Sequence, residues 1–300
     1  MSAVKLGVMP PLVPALVTSR DFMCAWVALV EDCGVESVWA VEHALAVEDH
    51  APNYPYTEDG RMGDAFTGLP ILDPLELLTF VAARSDTLRL STCVMIAPLH
   101  SAAILAKRIA SVDILSGGRL QIGLGIGWQR EEYEAVGAPF TNRGPRLEEM
   151  ILAMRELWTH SPASFHGRYI NFDRVHSHPQ PAGHDVPILL GGNSDAVLDR
   201  VGRIGNGWLP FTIGPDEVAS AAARIRTVAV GAGRDPEGIE ITAWPGSLDP
   251  AAERDVDFVR RYVAAGATRV LLWPQVATPD ELPLLRHQIE SYQDQVIGKL

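Results

Sequence analysis

Basic side chains are scarce in this sequence: 25 Lys and Arg stand against 37 Asp and Glu, a formal net charge of −12. Nucleic acids are bound by basic surfaces, so this balance excludes a nucleic-acid partner from the expected roles. Small anions stay open, because backbone donors and a few arginines hold them whatever the net charge. Cysteine is scarcer still. Cys24, Cys33 and Cys93 form an odd set whose spacings match neither a disulfide framework nor a zinc ribbon. Two of them fall in a helical pattern and Cys93 in a strand, where thiols pack as small apolar groups. Long apolar runs are absent as well, and none reaches the roughly 18 residues of a membrane helix, so no membrane partner is expected. The opening MSAVKLGVMPPLVP lacks the layout of a signal peptide, which makes a cytoplasmic location the expectation.

What is present is an ordinary globular composition, 47% apolar and 21% charged over 300 residues. Short apolar runs alternate with amphipathic stretches along its whole length. Strands are expected at Val4–Met9, Ser37–Val41, Leu88–Met95, Leu120–Leu124, Val186–Leu190, Gly207–Phe211, Ile239–Ala243 and Thr268–Trp273. Helices follow them: Ser19–Cys33, one opened by Asp73-Pro74, Ala102–Leu115, the pair Arg130–Val136 and Arg146–Trp158, Ser194–Ile204, Asp216–Val230 capped by Gly231, Asp255–Ala265 and Glu281–Ile297. Eight strand–helix pairs predict an α/β fold of the closed (β/α)8 TIM-barrel type. Two insertions accompany it, a proline-rich segment from His43 to Pro70 and a β-like excursion at 163–185. No linker or charge run divides the chain, so one domain over 1–300 is expected. The partly apolar outer helix layer is compatible with a homodimer.

In such a barrel the chemistry sits at the C-terminal ends of the strands, and four places there stand out. Glu42-His43 ends the second strand; a histidine there can donate a hydrogen bond or move a proton near neutral pH, or it can simply pack against the long loop. Thr92-Cys93-Val94-Met95 ends the third strand, as a wall for a flat ring or as a buried strand end. Gly123, Gly125 and Gly127 close the fourth strand in a G-x-G-x-G pattern that clears one face for a ligand or another backbone; the spacing is not that of a dinucleotide fingerprint. Gly191-Gly192-Asn193-Ser194 follows the fifth strand at a helix start, where bare N–H groups make an anion site or a tight turn with its cap. His176 and His178 have metal-like spacing, but no acidic cluster accompanies them and no metal is expected. Trp39, Trp208 and Trp273 lie on strands and read as core.

These stretches resemble the luciferase-like monooxygenase superfamily, in particular its branch of deazaflavin-dependent oxidoreductases. The resemblance is carried by AKRIASVDILSGGRLQIGLGIGWQREEYEAVGAPFTNRGPRLEEMILAMRELW from Ala106 to Trp158, with SVWAVEH, TCVMIAPLH and PILLGGNSDAVLDRVGRIGNGWLP around it. It implies a (β/α)8 barrel and hydride transfer through the deazaflavin coenzyme F420, or through FMN, to or from a small-molecule substrate. It implies further that His43 lines the ring pocket as the catalytic group. The strand end at Thr92, Cys93 and Val94 would form a bulge behind the ring, often with a cis peptide. Gly125 and Gly127 would flank the cofactor, and Gly191, Gly192, Asn193 and Ser194 would hold its phosphate. Two departures lie near this pocket: Glu42 where many relatives carry Asp, and His100-Ser101 in place of a commoner Arg-Asn pair. Alternatives are an FMN-dependent monooxygenase and, from other classes, a metal-dependent barrel hydrolase using His43, His176 and His178 or a cofactor-binding protein without turnover.

Overall fold

Three helices begin where the sequence supplies a side-chain cap, at Ser19, Asp73 and Asp255. A computed structural model describes residues 4–300, apart from the side chains at 64 and 65. Helix α1 is a single turn, Pro14–Val17, and α2 spans Arg20–Asp32. Ser19 caps α2 by accepting from the Phe22 N–H at 3.3 Å, and Phe22, Trp26, Leu29 and Val30 are buried beneath it. Helix α3 (Pro74–Ala82) starts the same way, with Asp73 accepting from the Leu75 N–H at 2.9 Å and proline in the first turn. Helix α4 runs over Ala102–Leu115, as expected. Then come α5 (Arg130–Ala135), α6 (Arg143–Thr159), α7 (Asp195–Ile204), α8 (Pro215–Gly231), α9 (Val256–Ala264) and α10 (Leu282–Gln295).

Most boundaries lie within a residue or two of the sequence reading, and two of the differences concern a proline and a glycine. Helix α6 starts a turn early, after Asn142 in the left-handed conformation, because Pro145 in a first turn removes no helical hydrogen bond. Helix α8 runs through Gly231 and is closed by Ala232 instead.

The strands are β1 (Lys5–Val8), β2 (Ser37–Ala40), β3 (Arg89–Thr92), β4 (Met95–Ile96), β5 (Ile122–Gly125), β6 (Ala163–His166), β7 (Asn171–Val175), β8 (Ile188–Gly191), β9 (Gly207–Leu209), β10 (Glu240–Ala243) and β11 (Arg269–Leu272). Strands β6 and β7 form an antiparallel hairpin at the 163–185 excursion, and the other nine form one parallel sheet in the order β3-β2-β1-β11-β10-β9-β8-β5-β4. The two ends of that order, β3 and β4, are halves of one strand, so nine segments fill eight barrel positions. The first half pairs with β2, the second pairs with β5, and Leu90 bridges Leu120 to complete the ring. The sequence reads this strand as unbroken from Leu88 to Met95. The structure interrupts it at Cys93-Val94, where the chain leaves one neighbour and joins the other.

Alternation along the strands sorts the core into two layers. Trp39, Leu189, Leu209 and Leu271 fill the barrel with Met9, while Val38, Leu190, Trp208 and Leu272 pack outward against the helices. At the N-terminal end of the strands Arg269 is fully buried and lies between Glu36 (2.9 Å) and Glu240 (3.1 Å). Burial opposes ionisation of both carboxylates, but the Arg269 guanidinium outweighs it and holds them below the ordinary range. A sealed charged floor at one end leaves the other end for chemistry. No helix among the described residues is long and apolar enough to cross a membrane.

Candidate active site at the strand C-termini

The alternating glycines of β5 acquire a partner in the fold. A Cβ on Gly123 would strike the Thr92 carbonyl; on Gly125 it would lie 2.5 Å from Val94 Cγ2, and on Gly127 2.8 Å from Ile96 Cγ2. Residues 92, 94 and 96 therefore press against 123, 125 and 127 in register, and the bare face of β5 is filled by the interrupted strand. Gly191 receives Val94 from the other side, since its Cβ would lie 2.6 Å from Val94 Cγ1. Val94 is wedged between glycines of two strands, and the Cys93–Val94 peptide is cis. The Thr92 hydroxyl donates to Gly123 O at 2.6 Å and accepts from Gly123 N at 3.0 Å, so it is committed to holding the strands together. Cys93 and Val94 top the barrel interior beside Trp244 and Trp273. Burial pushes the Cys93 thiol up to about 12, which makes it a neutral wall group and no nucleophile at physiological pH.

At the end of β2, adjacent side chains diverge to separate partners. His43 Nδ1 lies 3.2 Å from Oε2 of Glu132, a fully buried residue of α5. The other Glu132 oxygen accepts from the Ala44 N–H at 2.6 Å and the Leu45 N–H at 3.3 Å. Glu42 turns the other way, accepting from the Ile96 N–H and meeting His100 Nε2 at 2.7 Å. The two departures singled out in the sequence, Glu42 and His100, are thus one contact. Tyr133 follows Glu132 on α5 and donates its hydroxyl to Ile126 O at 2.7 Å, and burial pushes the pKa of its phenol up, which keeps it neutral.

The His43–Pro70 segment lies over the barrel mouth on a chain of ring contacts. The His43 ring centroid is 4.6 Å from Phe66 and 6.3 Å from Trp128. Trp128 contacts Tyr54 at 5.0 Å, Tyr54 contacts Tyr56 at 5.3 Å, and Tyr56 reaches Phe211 at 4.7 Å. Phe211 continues to Trp244 (5.7 Å) and Trp244 to Trp273 (5.9 Å), which brings the chain back to the barrel interior. Aromatic pairs of this kind add about 0.5–1.5 kcal/mol each beyond burial. The lid is fastened a second time where Ala51 N–H donates to Glu131 at 2.8 Å.

The loop from Gly191 to Ser194 leads into α7. Asn193 clasps Phe211 through both ends of its amide, Nδ2 to Phe211 O at 2.6 Å and Phe211 N to Oδ1 at 3.3 Å. Trp208 Nε1 donates to Gly192 O at 2.8 Å. Ser194 stands at the N-cap of α7 with no side-chain cap bond; the Val197 N–H turns back to Ser194 O at 2.8 Å, and the Asp195 and Ala196 N–H groups have no helical or capping partner among the described residues. Gly192 has a φ of +115°, which only glycine adopts without strain.

The structure brings Val94, Gly125 and Gly191 into contact and sets His43 and Gly127 against adjacent residues of α5, Glu132 and Tyr133. Thr92 and Asn193 lie in the same rim with their side chains committed to backbone. Glu132, Trp128 and the lid aromatics were not singled out in the sequence; the register of α5 against the end of β2 reveals Glu132, and the ring contacts across the mouth reveal the others. Trp39 and Trp208 are fully buried, whereas Trp273 borders the mouth. His176 and His178 are hydrogen-bonded to Ser161 at 2.9 and 3.2 Å, and no cluster of three or more His, Cys, Asp or Glu suited to a metal occurs among the described residues.

The family model of luciferase-like monooxygenases matches residues 12–275. An uncharacterised protein of Mycobacterium tuberculosis is 32% identical over 253 residues, covering 82% of this chain and 84% of the relative. Among solved structures, an F420-dependent secondary alcohol dehydrogenase in complex with an F420–acetone adduct superposes with a TM-score of 0.73 at 17% identity, over 98% of each chain. The oxygenating constituent of 3,6-diketocamphane monooxygenase from Pseudomonas putida, in complex with FMN, gives a TM-score of 0.73 at 16% identity over 99% of each. At such identities the structural likenesses show the fold.

Proposed function

The chain belongs to the luciferase-like monooxygenase family, and from that premise we propose that it is an oxidoreductase moving a hydride between the deazaflavin coenzyme F420 and a small organic carbonyl compound or alcohol. The observation that carries this reading is the shelf at Cys93-Val94, set between Gly125 and Gly191 with aromatic walls beside it. A flat ring needs a smooth apolar surface without charge, and the shelf offers one. A phosphate tail needs donors, and the N-terminus of α7 at Ser194 offers them. Cys93 and Val94 would back the ring, while Gly191, Gly192 and Ser194 would hold the phosphate.

The bound deazaflavin would supply or accept the hydride. The chain's own part is to orient, to exclude water and to handle the proton. The lid rings from Tyr54 to Trp273 cover the mouth and keep it dry. His43 gives a proton to the substrate oxygen when a carbonyl is reduced and takes it back when an alcohol is oxidised. The F420-dependent alcohol dehydrogenase of the same fold supports this couple.

A second reading, an FMN-dependent monooxygenase, is supported by the FMN complex of the camphane enzyme. The test is anaerobic mixing of the protein and reduced F420 with a panel of ketones, following the return of oxidised deazaflavin. Ketone-dependent oxidation supports the proposal. Turnover only with reduced FMN and oxygen supports the second reading and rejects the first.

A further inference from the structure

We propose that Glu132 is the positioning residue of this site: one carboxylate fixes the tautomer of His43 and ties down the first peptide groups of the lid. The consequence for turnover rests on the reading above; the consequences for the ring and the lid do not.

A fully buried carboxylate needs donors, and Glu132 finds three in three consecutive residues. Oε1 takes the Ala44 and Leu45 N–H groups at 2.6 and 3.3 Å, and Oε2 faces His43 Nδ1 at 3.2 Å. An ionised carboxylate only accepts, so the Nδ1 that faces it carries the proton. In the neutral ring this leaves Nε2 as the bare nitrogen, ready to accept a proton from substrate, and in the charged ring as the second N–H, ready to return it. The ring plane is held independently by Phe66 and Trp128.

The other titratable groups around His43 have partners of their own. Glu42 is engaged by the Ile96 N–H and His100, Glu131 by the Ala51 N–H, His50 by Ala51 O and the Tyr133 hydroxyl by Ile126 O. Glu132 is therefore the carboxylate that sets His43. Because the same side chain holds residues 44 and 45, the geometry of the proton-carrying ring and the seating of the lid are tied together. A shift of α5 moves both.

Glu132→Gln separates this role from a merely structural one. With its amide oxygen in the place of Oε1, the glutamine still accepts from Ala44 and Leu45. Its NH2 replaces Oε2 and donates to Nδ1, which forces the proton to Nε2. Nitrogen NMR of protein labelled at histidine, with the His43 signals assigned by their loss in His43→Gln, reads the tautomer without any cofactor. The expected result is an Nδ1–H ring in the wild type and an Nε2–H ring in Glu132→Gln. Limited proteolysis within residues 44–63 is unchanged in Glu132→Gln and faster by tenfold or more in Glu132→Ala. Hydride transfer in Glu132→Gln falls roughly 10²- to 10⁴-fold, the range for misplacing an acid–base group. An Nδ1–H ring that persists in Glu132→Gln overturns the tautomer claim. Equal lid proteolysis in wild type and Glu132→Ala overturns the lid claim. Absence of F420 turnover in the wild type with both cofactor-free results intact would reject the cofactor reading and leave this one standing.

Discussion

Replacing Gly191 by alanine tests the wedge at the barrel mouth with a single methyl. Gly191 lies outside the left-handed backbone region, so alanine costs nothing conformationally there. The cost is steric. The added carbon would sit 2.6 Å from Val94 Cγ1, with the next Val94 atoms at 3.7 Å. Carbon atoms rest at about 3.5–4.0 Å, so Val94 must retreat by about 1 Å. It cannot retreat toward β5, because Gly125 already receives it on that side. Overpacking of this kind costs about 1–3 kcal/mol. Val94→Ala alone should also destabilise, by about 0.8 kcal/mol for each methyl group removed plus a cavity contribution. In the double variant the new methyl occupies the space the valine leaves, so the two losses fall short of their sum by about 0.5–3 kcal/mol. Urea unfolding of the four proteins measures this, and flavin titration of the same set reports the shelf. If Gly191→Ala matches the wild type in stability, or the double variant is strictly additive, Val94 is not the partner of Gly191.

Three further outcomes follow from the geometry. Arg269→Ala leaves Glu36 and Glu240 without their shared guanidinium and should cost about 3–5 kcal/mol in denaturant unfolding. Both carboxylates are held below their ordinary 4.5, so their contribution is present above that pH and is lost as pH falls through the folded values. Acid titration of stability should therefore lose this component below pH 4.5 in the wild type, while Arg269→Ala lacks it; parallel acid profiles would refute the assignment. Cys93, with its thiol pushed up to about 12 by burial, should resist iodoacetamide at pH 8 in the native protein and react after unfolding; peptide mass spectrometry showing native alkylation would contradict it. His100→Ala removes one donor from buried Glu42 and should destabilise by about 1–3 kcal/mol, and an unchanged unfolding midpoint would show that the contact carries no weight.

Much of the barrel could be read from the sequence because the signals are local. The cap at Asp73-Pro74 and the apolar stripe of Ala102–Leu115 each act within a few turns, and both helices form where expected. The third strand was legible as a run of β-formers, but not as two halves. Its break depends on which neighbour each half joins, and the residues of that choice lie at Ser37–Ala40 and Leu124-Gly125. The glycines of β5 were legible as a cleared face, while the side chain that fills it, Val94, was not. Glu132 was invisible for the same reason: it stands 89 residues from His43, and a glutamate on a short acidic helix looks like a solvated one. The pairing of Glu42 with His100, 58 residues apart, turns two separate oddities of sequence into one hydrogen bond.

Whether the rim around Val94, Gly191 and His43 binds a deazaflavin, as proposed, is decided by equilibrium titration of the purified protein with F420 and with FMN, each oxidised and reduced and followed by fluorescence. Saturable binding of F420 in the micromolar range or tighter is expected, with weaker binding of FMN and loss of both in Gly191→Ala. Selective binding of FMN would contradict the choice of cofactor, and binding of neither would contradict the site.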